Sequence, residues 1–166
     1  MNCFVYQDKA ERWLKAIQKL SSDINFADMH LEELYEYYRY LASHYKISDR
    51  TNIEVREKRK ELMLEDYQYE ALRVLKRMSS GHSIVFMTIT RLIEKVDERS
   101  LVLLDEPESH LHPPLLSAFI RALSDLLVSR NAIAIIATHS PVVLQEVPKR
   151  CVWKLYRRGK SIETSR

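Results

Sequence analysis

Apolar residues recur at helical spacing through the first half of the chain and gather into short unbroken runs in the second. Trp13, Ile17 and Leu20 share one face of a helix predicted over residues 8–20. Leu31, Leu34, Tyr38, Leu41 and Tyr45 form a second stripe, with Asp28 placed to cap it. Thr51 and Glu54 have capping-box spacing ahead of a third helix, predicted to run to about Met78 with Leu64, Ala71, Leu72 and Leu75 inward. Its stretch from Glu54 to Glu65 alternates in charge, as a solvated face does. No Gly or Pro falls in the first 80 residues, so nothing punctuates these helices.

Beyond residue 80 the pattern changes. Ser83–Val96 is a further predicted helix. Leu101-Val102-Leu103-Leu104 is an apolar run that stops at Asp105-Glu106-Pro107, as a buried parallel strand would. His112-Pro113-Pro114 can open a helix, because proline suits the first turn, and Leu116, Phe119, Ile120, Leu123 and Leu127 continue it. Ala132–Ala137 is a second predicted buried strand, ending at Thr138-His139-Ser140-Pro141, and Val142–Val147 a short helix. Val152–Tyr156 and Ser161–Thr164 flank Arg157-Arg158-Gly159-Lys160 as a hairpin would. Strands alternating with helices place the chain in the α/β class with a parallel sheet.

Composition narrows the field. With 166 residues, 46% hydrophobic and 30% charged, the chain can build a core, and only two Gly and five Pro exclude collagen-like and disordered classes. The longest clean apolar run, Ala132–Ala137, is far short of the roughly 20 residues that span a bilayer. Met1–Asp8 has no basic start followed by an apolar stretch, so no secretory signal is read there. Cys3 and Cys151 are far apart and outside any CxxC, which predicts free thiols in a reducing cytoplasm. Tyr35, Tyr37, Tyr38, Tyr40 and Tyr45 crowd one helix; base stacking is one use, and packing with hydroxyls reaching water is the commoner one.

Charge is uneven. Residues 1–77 carry 14 basic and 14 acidic groups, so the net +3 resides in residues 78–166. Lys149, Arg150, Lys154, Arg157, Arg158, Lys160 and Arg166 face one acid, Glu163. Such a tail can attract phosphates or DNA, or can be a solvated strand edge that discourages sheet pairing.

The candidate chemistry sits at the ends of the two strands, where open α/β sheets bind ligands. An apolar strand followed by Asp105 and Glu106 suits a nucleotide triphosphatase: the Asp helps hold magnesium and the Glu polarises a water. His139 closes the second strand. Met78-Ser79-Ser80-Gly81-His82 precedes a predicted helix, whose unpaired N–H groups favour phosphate. His110 and His112, beside Glu108, raise a zinc alternative, but no further ligands cluster nearby in sequence to complete a site. Asp105, His139 and Ser140 evoke a hydrolase triad, yet the G-x-S-x-G elbow is absent.

In order, Ser-Ser-Gly-His, an apolar run into Asp-Glu-Pro-Glu, Ser-His-Leu-His-Pro and an apolar strand into Thr-His-Ser resemble the C-terminal half of a soluble ABC-type ATPase. Met78–His82 resembles the signature, Leu101–Glu106 Walker B, Ser109–His112 the D-loop and His139 the switch histidine. Gly81 and Asp105 are 24 residues apart, and Asp105 and His139 34. The likeness covers roughly Arg77–Leu155 and points to the DNA-repair, overcoming-lysogenisation-defect and anti-phage defence kinds, those of retrons and Septu-like systems among them. It implies a partial P-loop fold: residues 1–77 a helical arm or lid, residues 78–166 the C-terminal half of the core. It also implies ATP and magnesium as ligands, with Asp105 serving the metal, Glu106 the general base and His139 on the γ-phosphate. Ser79, Ser80, Gly81, His82 and Ser109 would meet nucleotide held by a second copy.

Two departures qualify the likeness. Met78 and His82 stand where Leu and Gln or Glu are usual. No GxxxxGK[ST] loop occurs: Gly159-Lys160-Ser161 has Lys154 at the upstream glycine position and lies between strand-like runs. The expectation is a truncated or split ATPase, inactive alone, whose strand Ala132–Ala137 has an unpaired apolar edge and whose isolated chain is poorly soluble or loosely packed. Partners expected are a second copy or a Walker A-bearing segment, a nuclease or other effector protein, and DNA, with no membrane. The alternative is an interaction module without catalysis.

Overall fold

Helical spacing in the first half resolves into four helices in the computed structural model, which describes residues 7–45, 52–159 and 161–165. Cys3, the Thr51 cap, Lys160 and Arg166 lie outside the described residues. Helix α1 (Gln7–Leu20) buries Trp13, Ile17 and Leu20, as their spacing predicts. A single turn, α2 (Ile24–Ala27), is capped by Asp23, whose Oδ1 accepts from the Phe26 N–H at 3.0 Å. Asp28, expected to begin the next helix, instead ends α2. Its φ of −64° and ψ of −8° are already helical and its N–H is bonded to the Ile24 carbonyl, so the extended geometry of an N-cap is lost to it. Helix α3 (Glu32–His44) starts after Leu31 with no side-chain cap.

Helix α4 (Ile53–Leu75) stops short of Met78 and is capped by Asn52, which accepts from the Glu54 N–H at 3.1 Å. Its buried stripe is Met63, Tyr67 and Ala71. Leu72, expected inward, lies one residue and about 100° round from Ala71 and is exposed. The tyrosines pack: Tyr35, Tyr37, Tyr38 and Tyr45 lie partly buried on the core, and Tyr38 meets Tyr67 edge-on at 6.1 Å. Tyr45 donates to Asp66 at 2.5 Å, while Tyr40 is exposed and stacks on His44.

Helix α5 (Ser80–Lys95) begins three residues earlier than the apolar pattern predicts, because Ser79 caps it by accepting from the His82 N–H. Strand β1 (Leu101–Asp105), helix α6 (Pro113–Ser129), strand β2 (Ile133–Ala137) and helix α7 (Pro141–Glu146) follow, then an antiparallel hairpin of β3 (Lys154–Arg158) and β4 (Ser161–Ser165). Gly159 turns that hairpin at φ +64°, where a side chain would be strained. The core centres on α6, which packs against α1, α5 and α7 and buries Leu115, Leu116, Phe119, Ile120, Leu123 and Leu126. The Trp13 indole joins α1 to α5, donating to Thr90 Oγ1 at 3.0 Å and meeting Phe86 edge-on. Among the described residues no helix is long and apolar enough to cross a membrane.

Strands β1 and β2 pair in parallel, from Leu101 opposite Ile133 to Asp105 opposite Ala137. They were expected to be buried, and only one face is. Val102 is buried, and Leu104 and Ile136 pack on the core. On the other face Leu101, Leu103, Ile133 and Ile135 are 60%, 69%, 67% and 59% exposed. The sheet has two strands among the described residues, and no described element covers that face. Asp105 shares it by the two-residue alternation of a strand.

Two outcomes follow from this packing. A β-carbon on Gly81 would sit 2.8 Å from the His110 carbonyl oxygen. Alanine usually gains up to about 1 kcal/mol over glycine inside a helix. Here Gly81→Ala should lower stability instead, by roughly 1–3 kcal/mol for an overpacked contact, read by urea denaturation. Replacing the cross-strand pair Leu103 and Ile135 by Glu and Lys should raise solubility and reduce binding of a hydrophobic dye, with little change in melting temperature.

Candidate functional site

The loops that leave β1 and β2 meet because the strands are in register and parallel. The ladder continues one residue past β1: the Glu106 N–H donates to the Ala137 carbonyl at 2.9 Å. Glu106 then takes φ +44°, in the left-handed region. That conformation costs a residue with a β-carbon roughly 1–2 kcal/mol. Its carbonyl accepts from both the Ser109 N–H (3.1 Å) and Ser109 Oγ (2.9 Å), which fastens the turn. Asp105 and Glu106 are both exposed.

Glu108 ties this loop to the next. Its Oε1 accepts from Thr138 Oγ1 at 2.7 Å and from the His139 N–H at 3.0 Å. The His139 ring nitrogen Nδ1 lies 3.4 Å from Glu108 Oε1 and 3.5 Å from Glu106 Oε1. One imidazole thus stands between two carboxylates, the Glu108 side chain 9% exposed and the Glu106 side chain 56%. Burial pushes the Glu108 carboxyl up, but the Thr138 hydroxyl, backbone N–H donors and nearby His139 outweigh it and hold the group below its ordinary value of 4.5.

The structure brings Glu106 and His139 together with Asp105 one residue away, and sets Ser109 under the Glu106 carbonyl. Ser79, Ser80, Gly81 and His82 form a separate group at the start of α5. Ser79 and Ser80 are exposed, whereas Gly81 and His82 are buried. Gly81 packs on the His110 backbone. His82 turns inward, with Nε2 3.3 Å from Asp23 Oδ1 and Nδ1 2.6 Å from Ser79 Oγ. His112 approaches the same carboxylate, Nε2 to Oδ2, at 3.0 Å. Ser140 caps α7 by accepting from the Val142 N–H. A groove of about 660 Å³ between α1 and α6, lined by Arg12, Lys15, Lys19 and Asp125 among others, contains none of these residues.

Sequence reading missed the clasp by Glu108 and Thr138. An acid two residues after Glu106 is unremarkable until β1 and β2 are paired and their loops abut. Because the folded Glu108 carboxyl lies below its ordinary value, the stability it contributes is present above about pH 4.5 and is lost as pH falls through the folded value. Glu108→Gln should therefore lower stability at pH 7 and flatten its decline between about pH 5 and pH 3, measured by denaturant titration at several pH values.

The chain matches the family described as "AAA domain, putative AbiEii toxin, Type IV TA system" over residues 13–145, a span that includes both strands and their terminal loops. Protein ea59 of Escherichia phage lambda is 49% identical over 172 residues, an overlap covering all of this chain and 30% of that protein's length. No solved structure matches. A mixed α/β fold with a small parallel sheet accords with that family. The chain belongs to this family of AAA domains, a family related to the P-loop ATPases.

Proposed function

We propose that the chain supplies the signature, Walker B and switch half of an ABC-type ATPase, which hydrolyses ATP once a Walker A-bearing segment completes it. The observation that carries this reading is the placing of Glu106 and His139, 3.5 Å apart, at the carboxyl ends of adjacent parallel strands. Asp105 offers a hard carboxylate oxygen beside them, the donor class that magnesium takes. Magnesium, when bound there, neutralises phosphate charge. Glu106 accepts a proton from the attacking water, and its exposed carboxylate, with the loop fastened by Ser109, is free to do so. His139 donates to the γ-phosphate, and Glu108 orients it through Thr138 and the His139 backbone.

Ser79 and Ser80, both exposed, donate to nucleotide on a second copy, while Gly81 and His82 fix the turn that presents them. The Walker A-bearing segment covers the apolar face of Leu101, Leu103, Ile133 and Ile135. Helices within residues 1–77 pass the resulting movement, in the cytoplasm, to a nuclease or other effector or to DNA, in DNA maintenance or anti-phage defence. The exposed basic strand of Lys154, Arg157 and Arg158 is the surface suited to DNA.

Nucleotide titration of the purified chain tests the reading. Affinity near zero for the chain alone, recovered on adding a Walker A-bearing fragment, is expected. No affinity in either case would leave an interaction module in its place. In the completed enzyme, Glu106→Gln should cut turnover by roughly 10²–10⁴-fold, the usual contribution of a general base, while ATP binding persists; undiminished turnover would remove Glu106 from that role.

A further inference from the structure

We propose that Asp23, His82 and His112 form a binding site for one divalent transition-metal ion of the zinc class. The three residues come from separate elements: the cap of α2, the first turn of α5 and the residue that precedes α6. Their ligand atoms all lie within 4.8 Å of one another. Zinc bonds of about 2.0–2.1 Å in tetrahedral array set neighbouring donors about 3.4 Å apart. The separation from Asp23 Oδ1 to His82 Nε2 is 3.3 Å and from Asp23 Oδ2 to His112 Nε2 is 3.0 Å, so each imidazole already stands at donor spacing from the carboxylate, and an ion has to draw the two imidazoles together from within 4.8 Å.

The surroundings suit a metal as well as the distances do. Asp23 and His82 are 2% and 10% exposed in their side chains, whereas His112 is 40% exposed and gives an ion a way in. Two imidazoles and one carboxylate select zinc or a neighbouring transition metal over magnesium, which takes oxygen donors. An outer shell is present. Ser79 Oγ lies 2.6 Å from His82 Nδ1 and can accept its proton, which turns the Nε2 lone pair to the ion. The Phe26 N–H holds Asp23 Oδ1, and the Phe26 ring lies 6.0 Å from the His82 ring. In the metal-free state the Ser79 hydroxyl donates to Nδ1 instead, and His82 Nε2–H donates to Asp23. Metal uptake therefore leaves both imidazoles with the proton on Nδ1, and replaces the His82 hydrogen bond and the His112 contact to Asp23 by three metal bonds, one from the carboxylate and one from each Nε2.

This set differs from the zinc alternative raised by sequence, which grouped His112 with His110 and Glu108. Glu108 is engaged by Thr138 and His139. The third ligand to His112 and His82 comes from Asp23, 59 residues before His82.

The tag-free whole chain, stripped with a chelator, would be titrated with cobalt(II) and then with zinc. Expected are visible d–d absorption saturating at one ion per chain, its loss on zinc addition, and a rise in melting temperature with zinc. His112→Gln, on the exposed side, should weaken zinc binding at least 10-fold. Asp23→Asn, which keeps an oxygen for the Phe26 N–H, should do the same, and His110→Gln should change nothing. Absence of cobalt absorption and of a zinc-dependent melting shift in the unaltered chain would overturn the site. So would binding that survives His112→Gln, and that variant decides the matter even if Asp23→Asn does not fold.

Discussion

Parallel register between two five-residue strands is the constraint from which the rest follows. A parallel pair cannot be closed by a tight turn and needs a crossover, which α6 supplies. With β1 and β2 in register, their carboxyl ends lie side by side, and the loops that follow must share one patch of surface. The pairing is sealed on one face only. Fully burying a Leu or Ile side chain is worth roughly 1.5–3 kcal/mol, so the four open side chains, each about two-thirds exposed, together forgo roughly 4–8 kcal/mol. That is comparable with the entire stability of a typical domain, about 5–15 kcal/mol. The same half-sealed sheet that sets the site's geometry therefore carries a strong drive to be covered, and Asp105 lies on the open side with it.

The loop after β1 shows how such a site is held. Glu106 is in a left-handed backbone conformation, which a residue with a β-carbon adopts only when its neighbours enforce it. The ladder bond from its N–H, the two bonds from Ser109 to its carbonyl and the clasp of Glu108 on the second loop supply that enforcement. The conformation turns the Glu106 side chain out of the strand alternation and beside His139. Glu106 and Glu108 thus differ by exposure: the first carboxylate is open to solvent, and the enclosed one fixes the geometry of the two loops.

How much of this was legible in sequence depended on the range of the interaction concerned. The stripes Trp13–Ile17–Leu20 and Leu31–Leu34–Tyr38–Leu41–Tyr45, the two apolar runs, the helix opened by Pro113 and the turn at Gly159 are local patterns, and each marks an element of the fold, although Leu31 and Tyr45 flank their helix and the two strands are buried on one face only. Boundaries shifted where local hydrogen bonds outweighed apolar periodicity: Asp28 was taken up in the end of α2, leaving α3 without a side-chain cap, and Ser79 started α5 before the first apolar residue. At the site, Asp105, Glu106 and His139 could be named because each ends an apolar run. Thr138 and Glu108 could not, because their bond exists only across two loops 30 residues apart. Nor could Asp23, whose meeting with His82 and His112 depends on how α2 packs against α5 and the start of α6.

That packing also changes what the Ser-Ser-Gly-His segment means. Phosphate contact alone would explain a serine, a glycine and a helix N-terminus, but it does not explain the particular neighbours found here. Gly81 lacks a side chain where the His110 carbonyl passes, so its smallness is required by the fold before any ligand is considered. His82 departs from the residue usual in resembling ATPases, and its imidazole is spent on Asp23 and Ser79. The first turn of α5 is therefore braced from two sides, by the loop that follows β1 and by the cap of α2. Ser79 belongs to both settings, capping the helix with the oxygen that also meets His82 Nδ1.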